Sequence, residues 1–344
     1  MSLPFGKIAP ELLERTVFQY LGSRRNDVVL GPSKGEDAAI VKVGDLLLAL
    51  SCDPVSGAQE NLGWIAVIIS TNDLATRGVR PRWLLSCILL PESSDEKSLL
   101  SICRQMDAAA KLVGASIVGG HSEITPGLGH PVAIVTSAGI AENGVYVTCG
   151  GARAGGKIIM TKSAGLEGTA ILAHDKGALL MRAFGSDFVG RARQHIHRLS
   201  VLEEAMIAVD TGGVMAMHDP TEGGIAGGLH EVADASRTGF RVYADRISVS
   251  DETEVICRFM NIDPLKLISS GCLLIVAESE KADFIVQRLN AGGISACVIG
   301  EVLADERIRS VVSGDGSIRQ LPMPDSDELW NAARFNVTKR GYRR

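Results

Sequence analysis

GEDAAIVKVGDLLLALSCD, running from Gly35 to Asp53, holds two apolar stretches, Ala38 to Val43 and Leu46 to Ser51, on either side of Gly44-Asp45. Two short β-type stretches separated by a Gly-Asp pair predict a hairpin with a two-residue turn. Aspartates flank it, Asp37 before and Asp53 after, although Asp53-Pro54 alone would also serve as the start of a turn. Two further stretches repeat the theme of acidic residues in small or glycine-rich company: Asn72-Asp73-Leu74 and Gly119-Gly120-His121-Ser122-Glu123. We expect all of them at strand or helix ends. Acidic side chains near such backbone are what a hydrated magnesium ion and a polyphosphate require, because magnesium takes oxygen ligands and is held by a few carboxylates together with substrate phosphates. The pattern predicts an ATP site.

Outward from the hairpin, α and β patterns alternate. Ala9 to Leu21 carries a helical apolar stripe introduced by Pro10 and closed by Gly22. Trp64 to Gly78 and Asp95 to Val113 read as helices, and Trp83 to Leu90, Ser116 to Val118 and Val132 to Ile140 as strands. Cys149-Gly150-Gly151-Ala152-Arg153-Ala154-Gly155-Gly156 is a glycine-rich boundary. Beyond it, strands at Lys157 to Thr161, Phe240 to Ala244, Cys272 to Ala277 and Ile294 to Val302 interleave with helices at Glu167 to Lys176, His197 to Asp210 and Ile225 to Ala233. Such alternation predicts a layered α/β (α+β) fold of sheets covered by helices. We expect domains at 1–150 and 151–325, with a tail at 326–344.

With 344 residues, 46% of them hydrophobic, the chain can bury cores for about two domains. A net charge of -5 argues against a nucleic-acid surface, and the short basic tail Lys339-Arg340-Gly341-Tyr342-Arg343-Arg344 does not overturn this. Seven cysteines at 52, 87, 103, 149, 257, 272 and 297 match neither a disulfide framework nor a zinc site. No signal peptide or membrane span is legible, so the expectation is a cytoplasmic protein with no membrane contact.

Gly35-Glu36-Asp37-Ala38-Ala39, Ser51-Cys52-Asp53, Asn72-Asp73-Leu74-Ala75 with Gly78 and Arg80-Pro81, Gly119-Gly120-His121-Ser122-Glu123, and Asp219-Pro220-Thr221-Glu222-Gly223-Gly224 follow one another in this order. That order resembles the superfamily of ATP-using enzymes that contains aminoimidazole ribonucleotide synthetase, thiamine-monophosphate kinase, selenophosphate synthetase and the hydrogenase maturation protein HypE. Within it the match is nearest to HypE, over nearly the whole chain. The resemblance implies a PurM-like architecture: an N-terminal β-sheet domain that forms a barrel with a second subunit, a C-terminal α/β sandwich domain, and ATP in the cleft between them. It also implies a homodimer.

Carried over by position, the resemblance makes Asp37, Asp53 and Asp73 magnesium ligands, and Asp73, His121 and Glu123 catalytic. Gly35, Asp37, Asp53, Asn72, Gly119, Gly120, Asp219, Thr221, Gly223 and Gly224 become nucleotide-site residues. Physical chemistry agrees with several of these. Like charges about 4 Å apart raise each other's pKa, a conflict that magnesium relieves. Glycines ahead of the helical pattern at Ile225 leave N–H groups free for an anion. Each aspartate alone would also serve as a cap or turn residue, and His121 as a core-edge histidine bonded to a carbonyl. Ser163-Ala164-Gly165-Leu166-Glu167-Gly168 resembles a substrate-side loop of the superfamily, and equally a plain strand-to-helix turn.

Three positions depart from the HypE pattern. Glu222 stands where it has arginine and Ser270 where it has glutamate, and the last cysteine here is Cys297, whereas HypE converts a carboxamide on its own C-terminal cysteine to a cyano group. The expectation is therefore a magnesium- and ATP-dependent enzyme of HypE type that activates an amide-like oxygen on a small molecule or a partner protein. A kinase like that for thiamine monophosphate, or a nucleotide-binding relative without turnover, are the alternatives.

Overall fold

The computed structural model describes residues 6–56, 60–333 and 335; the basic tail lies outside them. Two sheets organise the chain. The first has six strands in the order β1-β2-β3-β6-β4-β5: β1 Val28–Leu30, β2 Ala39–Val43, β3 Leu46–Val55, β4 Trp83–Leu90, β5 Ser116–Ile124 and β6 Val132–Ala141. Val43 pairs with Leu46, so the Gly44-Asp45 turn is as predicted, with Gly44 at φ +62°. β3 is longer than expected, and Asp53-Pro54 lies inside it opposite Val135 and Ile134 rather than starting a turn. β6 alternates strictly between buried and half-buried residues, the mark of a sheet with one covered face.

That face is covered by the helices Leu62–Thr76 and Glu96–Val113. Asp95 caps the second by accepting the Ser98 N–H, and Gly114 closes it at φ +71°. The first helix is buried nearly all round, because its other side packs on the helix Leu202–Thr211 and on the strand Val214–His218 of the second half. Gly78 at φ +74° ends it, its N–H bonded to the Ala75 carbonyl.

The second sheet has seven strands in the order β13-β12-β9-β11-β7-β10-β8: β7 Lys157–Thr161, β8 Val214–His218, β9 Gly239–Tyr243, β10 Leu274–Ala277, β11 Ala296–Leu303, β12 Arg309–Val312 and β13 Ile318–Gln320. Both its faces are covered, which the period of two makes visible. Ile159 and Ile275 join one core with Ile285 and Leu289 of the helix Ser279–Ala291. Ile158, Met160, Leu274 and Val276 join another with Ile225 and Leu229 of the helix Gly224–Ser236.

Several expectations change. The N-terminal helix is only Pro10–Arg15 followed by a turn at Val17–Gln19, and it buries nothing, so its stripe had no core to hold it. Asn72-Asp73-Leu74 lies at the C-terminal end of its helix, as expected, whereas Gly119-Gly120 falls within β5 rather than at its end. The glycine boundary is not loose. A Cβ at Gly150 would lie 2.9 Å from the Ala235 carbonyl oxygen and one at Gly151 2.0 Å from that of Met215. Those glycines serve close packing. Among the described residues no helix is long and apolar enough to cross a membrane.

Candidate active site

Asp73 occupies the last turn of its helix, where the backbone dipole disfavours a negative charge. Its surroundings are worse still. It is buried, and Ser51 of β3 joins it to Asp53, donating to Asp73 and lying 3.0 Å from Asp53 Oδ2. Burial first, then the charge of Asp53, then those of Asp219 and Asp37, hold the Asp73 carboxyl well above the usual range. Asp219 follows β8, is buried with Oδ2 unpartnered, and is pushed up to about 8 by burial and by the Asp37 charge.

Asp37 behaves oppositely. Burial pushes it up, but His218 3.0 Å away, together with Arg77 and Lys7, outweighs burial and holds it low. His218 lies between two carboxylates, Nδ1 on Asp37 and Nε2 2.7 Å from Glu231. Those anions outweigh its burial and raise its pKa well above the ordinary value, so the ring donates from both nitrogens. Arg77, fully buried, pairs with Glu36 and lies 3.6 Å from Asp37. Lys7 reaches Glu231 at 3.0 Å.

Asp37, Asp53 and Asp73 line one cavity of about 700 Å³, together with Gly35, Glu167, Thr221, Glu222, Glu231 and Ser270. One ligand atom each from Asp37, His218 and Asp219 falls within 4.8 Å of the others. With His218 protonated, the oxygen donors are what this cluster offers a cation. An orphaned oxygen on Asp219 and carboxyls driven up by burial and by neighbouring charge fit a hard divalent ion.

The remaining expected residues are placed differently. Asn72 is fully buried and spends its amide on the second half, donating to Leu199 O at 2.8 Å and accepting from Val201 N at 2.9 Å. Gly223 N–H bonds Asp327 at 2.7 Å and Gly224 N–H bonds Thr221 O at 3.0 Å, so the anion at that helix start is the chain's own. His121 and Glu123 sit on exposed β5, 3.1 Å apart and outside the lining of the cavity. Gly119 and Gly120 lie on the same strand and are not among the residues that line the cavity. Glu222, in place of arginine, accepts the Lys7 backbone N–H at 2.8 Å. Arg77, His218 and Glu231 were missed, though His218 adjoins Asp219 and Arg77 stands within the Asn72 to Pro81 motif, while Glu167 belongs to the Ser163 to Gly168 loop that resembles a substrate-side loop.

Two family models describe the chain: AIR synthase related protein, N-terminal domain, over residues 35–141, and the C-terminal domain of the same over 153–313. A putative hydrogenase expression/formation protein of Methanocaldococcus jannaschii is 27% identical over 94% of this chain and 96% of its own length. Carbamoyl dehydratase HypE of Rhizobium leguminosarum bv. viciae is 31% identical over 72% of this chain and 69% of its own. A crystal structure of HypE in complex with ATP superposes with a TM-score of 0.71 at 23% identity, covering 94% of this chain and 97% of that one. The PurM-like two-domain fold is thus shared, and with both halves matched in order the chain belongs to the AIR synthase related family, among relatives of HypE.

Proposed function

We propose that this chain is a magnesium-dependent, ATP-using enzyme of HypE-like type, which phosphorylates an amide-like oxygen on a separate small molecule or on a partner protein's thiocarboxamide. The observation that carries the reading is the shared cavity of Asp37, Asp53 and Asp73 beside the orphaned Asp219. The charges of Asp37 and Asp53 oppose ionisation of both Asp73 and Asp219, a conflict that a cation relieves. Asp37, Asp53, Asp73 and Asp219 would hold magnesium, whose charge neutralises phosphate oxygens when bound. The chain's own residues do the placing: the Ser51 hydroxyl ties Asp53 to Asp73, and His218 and Arg77 keep Asp37 ionised at neutral pH. The ATP complex of a HypE and the dehydratase activity named for another support the choice.

Ser270, which cannot act as a base in place of glutamate, favours a second reading in which the phosphoryl group stays on the acceptor, as in a small-molecule kinase of thiamine-monophosphate type. A homodimer is part of the proposal, because β5 is an exposed edge bearing Ile117, Val118 and Ile124. Seven free cysteines support a reducing, cytoplasmic setting.

The test is ADP formation from ATP with and without magnesium, with phosphorus NMR to separate released phosphate from phosphorylated acceptor. Turnover should require magnesium and fall about 100-fold in Asp73→Asn, the scale of losing one positioned charge at such a site. In the absence of metal the same variant should unfold at higher temperature, since the cost of burying that carboxyl beside other acids is gone. ATP binding with no ADP formed from any acceptor would leave a nucleotide-binding relative instead.

A further inference from the structure

The cavity that holds the aspartates is also lined from the second half of the chain by Glu167, Ile171, Ile268, Ser270, Leu329 and Trp330. Two loops there are locked together. Gly165 N–H donates to the Ser269 hydroxyl at 2.8 Å, and Gly168 N–H to the Ile268 carbonyl at 3.1 Å. A Cβ at Gly168 would lie 2.4 Å from the Leu267 side chain, so the helix Leu166–Asp175 starts hard against this loop.

Against that bonded background, three polar atoms are buried without a partner among the described residues: Glu167 Oε2, Ser270 Oγ and Trp330 Nε1. Leaving a buried polar atom unpaired is costly, and all three residues line the one cavity. They form a carboxyl and two donors, of which Ser270 stands beside Glu167 without a bond of good geometry between them. Burial pushes the Glu167 carboxyl up to about 7, against the pull of Ser270 beside it. The charged side chains acting on it, Asp327 and Glu222, are both acidic and raise it further. A carboxyl divided between its two forms at neutral pH can take a proton and return it.

We propose that Glu167 is a catalytic residue that takes the proton from the phosphoryl acceptor, while Ser270 and Trp330 donate hydrogen bonds that hold a neutral amide or hydroxyl group in place. This rests on the ATP-using reading above. The acceptor oxygen forms a bond to the γ-phosphorus as the bond from phosphorus to the β,γ-bridging oxygen breaks. That electron pair leaves with ADP. The proton lost, N–H from an amide or O–H from a hydroxyl, goes to Glu167. An amide acceptor becomes a phosphorylated imidate, and an alcohol becomes a phosphate ester.

The experiment compares the full-length wild type, Glu167→Gln and Glu167→Gln/Ser270→Glu. Magnesium and a non-hydrolysable ATP analogue give nucleotide affinity by calorimetry, and ADP formation is followed with N-acetyl-S-carbamoylcysteine as the acceptor probe. Carbon NMR of glutamate labelled at the carboxyl reports titration without nucleotide. Glu167→Gln should keep nucleotide affinity within about twofold and lose ADP formation about 100-fold, the usual worth of a positioned base. The carboxyl titrating near pH 7 should vanish from the spectrum. The rise of rate through that pH, where the wild-type base becomes deprotonated, should flatten. Returning a carboxylate at position 270 should recover about tenfold, a fraction of that base's worth. The proposal is overturned if Glu167→Gln keeps the wild-type rate and pH profile, if it loses nucleotide affinity, or if the double variant recovers nothing. A wild type that forms no ADP removes the broader reading and this proposal together.

Discussion

Asn72 and Asp73 are neighbours in one helical turn and do different work. At 3.6 residues per turn, adjacent side chains leave the helix about 100° apart, so Asp73 meets Ser51 while Asn72 meets the backbone of Leu199 and Val201. In the sequence the pair reads as one site, and only the rotation separates them. Asn72→Ala would leave a buried carbonyl and a buried N–H unpaired. We expect a loss of about 2–4 kcal/mol in stability by chemical denaturation, with nucleotide affinity of the folded protein unchanged. A comparable loss of affinity would instead return Asn72 to the nucleotide site. Glu222 teaches the same lesson. Its sequence position suggests a reversed charge at a phosphate, whereas the fold turns it to hold the Lys7 N–H, and Gly6 at φ +94° makes room for it.

At the scale of elements, β5 shows what glycine pairs conceal. Gly119-Gly120 suggests a turn after Val118, yet the strand runs on to Ile124 in parallel with β4. The register shifts between Leu84 and Leu85, and the two backbones come so close that a Cβ on Gly120 would lie 1.9 Å from the Ser86 carbonyl oxygen. Gly120→Ala should therefore destabilise the protein by about 3 kcal/mol, the upper range for overpacking against atoms that cannot move aside. Gly129→Ala, with nothing within 4 Å of the added carbon, is the control that should be neutral. Equal denaturation midpoints for the two variants would refute the steric account.

On the scale of the whole molecule, one hydrophobic cluster runs from Ile65 and Ile68 through Met206 to Ile275 and Leu289, joining both halves without a break. A cavity whose carboxylates come from both halves stays assembled because that interface is apolar and continuous. The exposed edge is the complementary feature. Val118 is 58% exposed on a strand whose every residue is accessible. If that edge pairs with a second copy, Val118→Lys should convert a dimer to a monomer in sedimentation, since a charge on an edge strand opposes pairing. His121 and Glu123 share the strand, so the same variant also reports whether turnover needs the pair. An unchanged sedimentation coefficient would count against the dimer.

The chain's own pattern determined the hairpin at Ala38 to Ser51, the layered α/β class and the order of the motifs that carry the aspartates at 37, 53, 73 and 219, because local alternation, turn chemistry and motif order are written in consecutive residues. Tertiary structure alone decided which of these share a cavity. It bonded His218 to Asp37, drew Ser51 between Asp53 and Asp73, left His121 and Glu123 on an outer edge, and buried Glu167 beside Ser270. Those relations depend on contacts between residues up to 181 positions apart in the chain. Burial and neighbouring charge, which give each acid its chemistry, arise only where such contacts form.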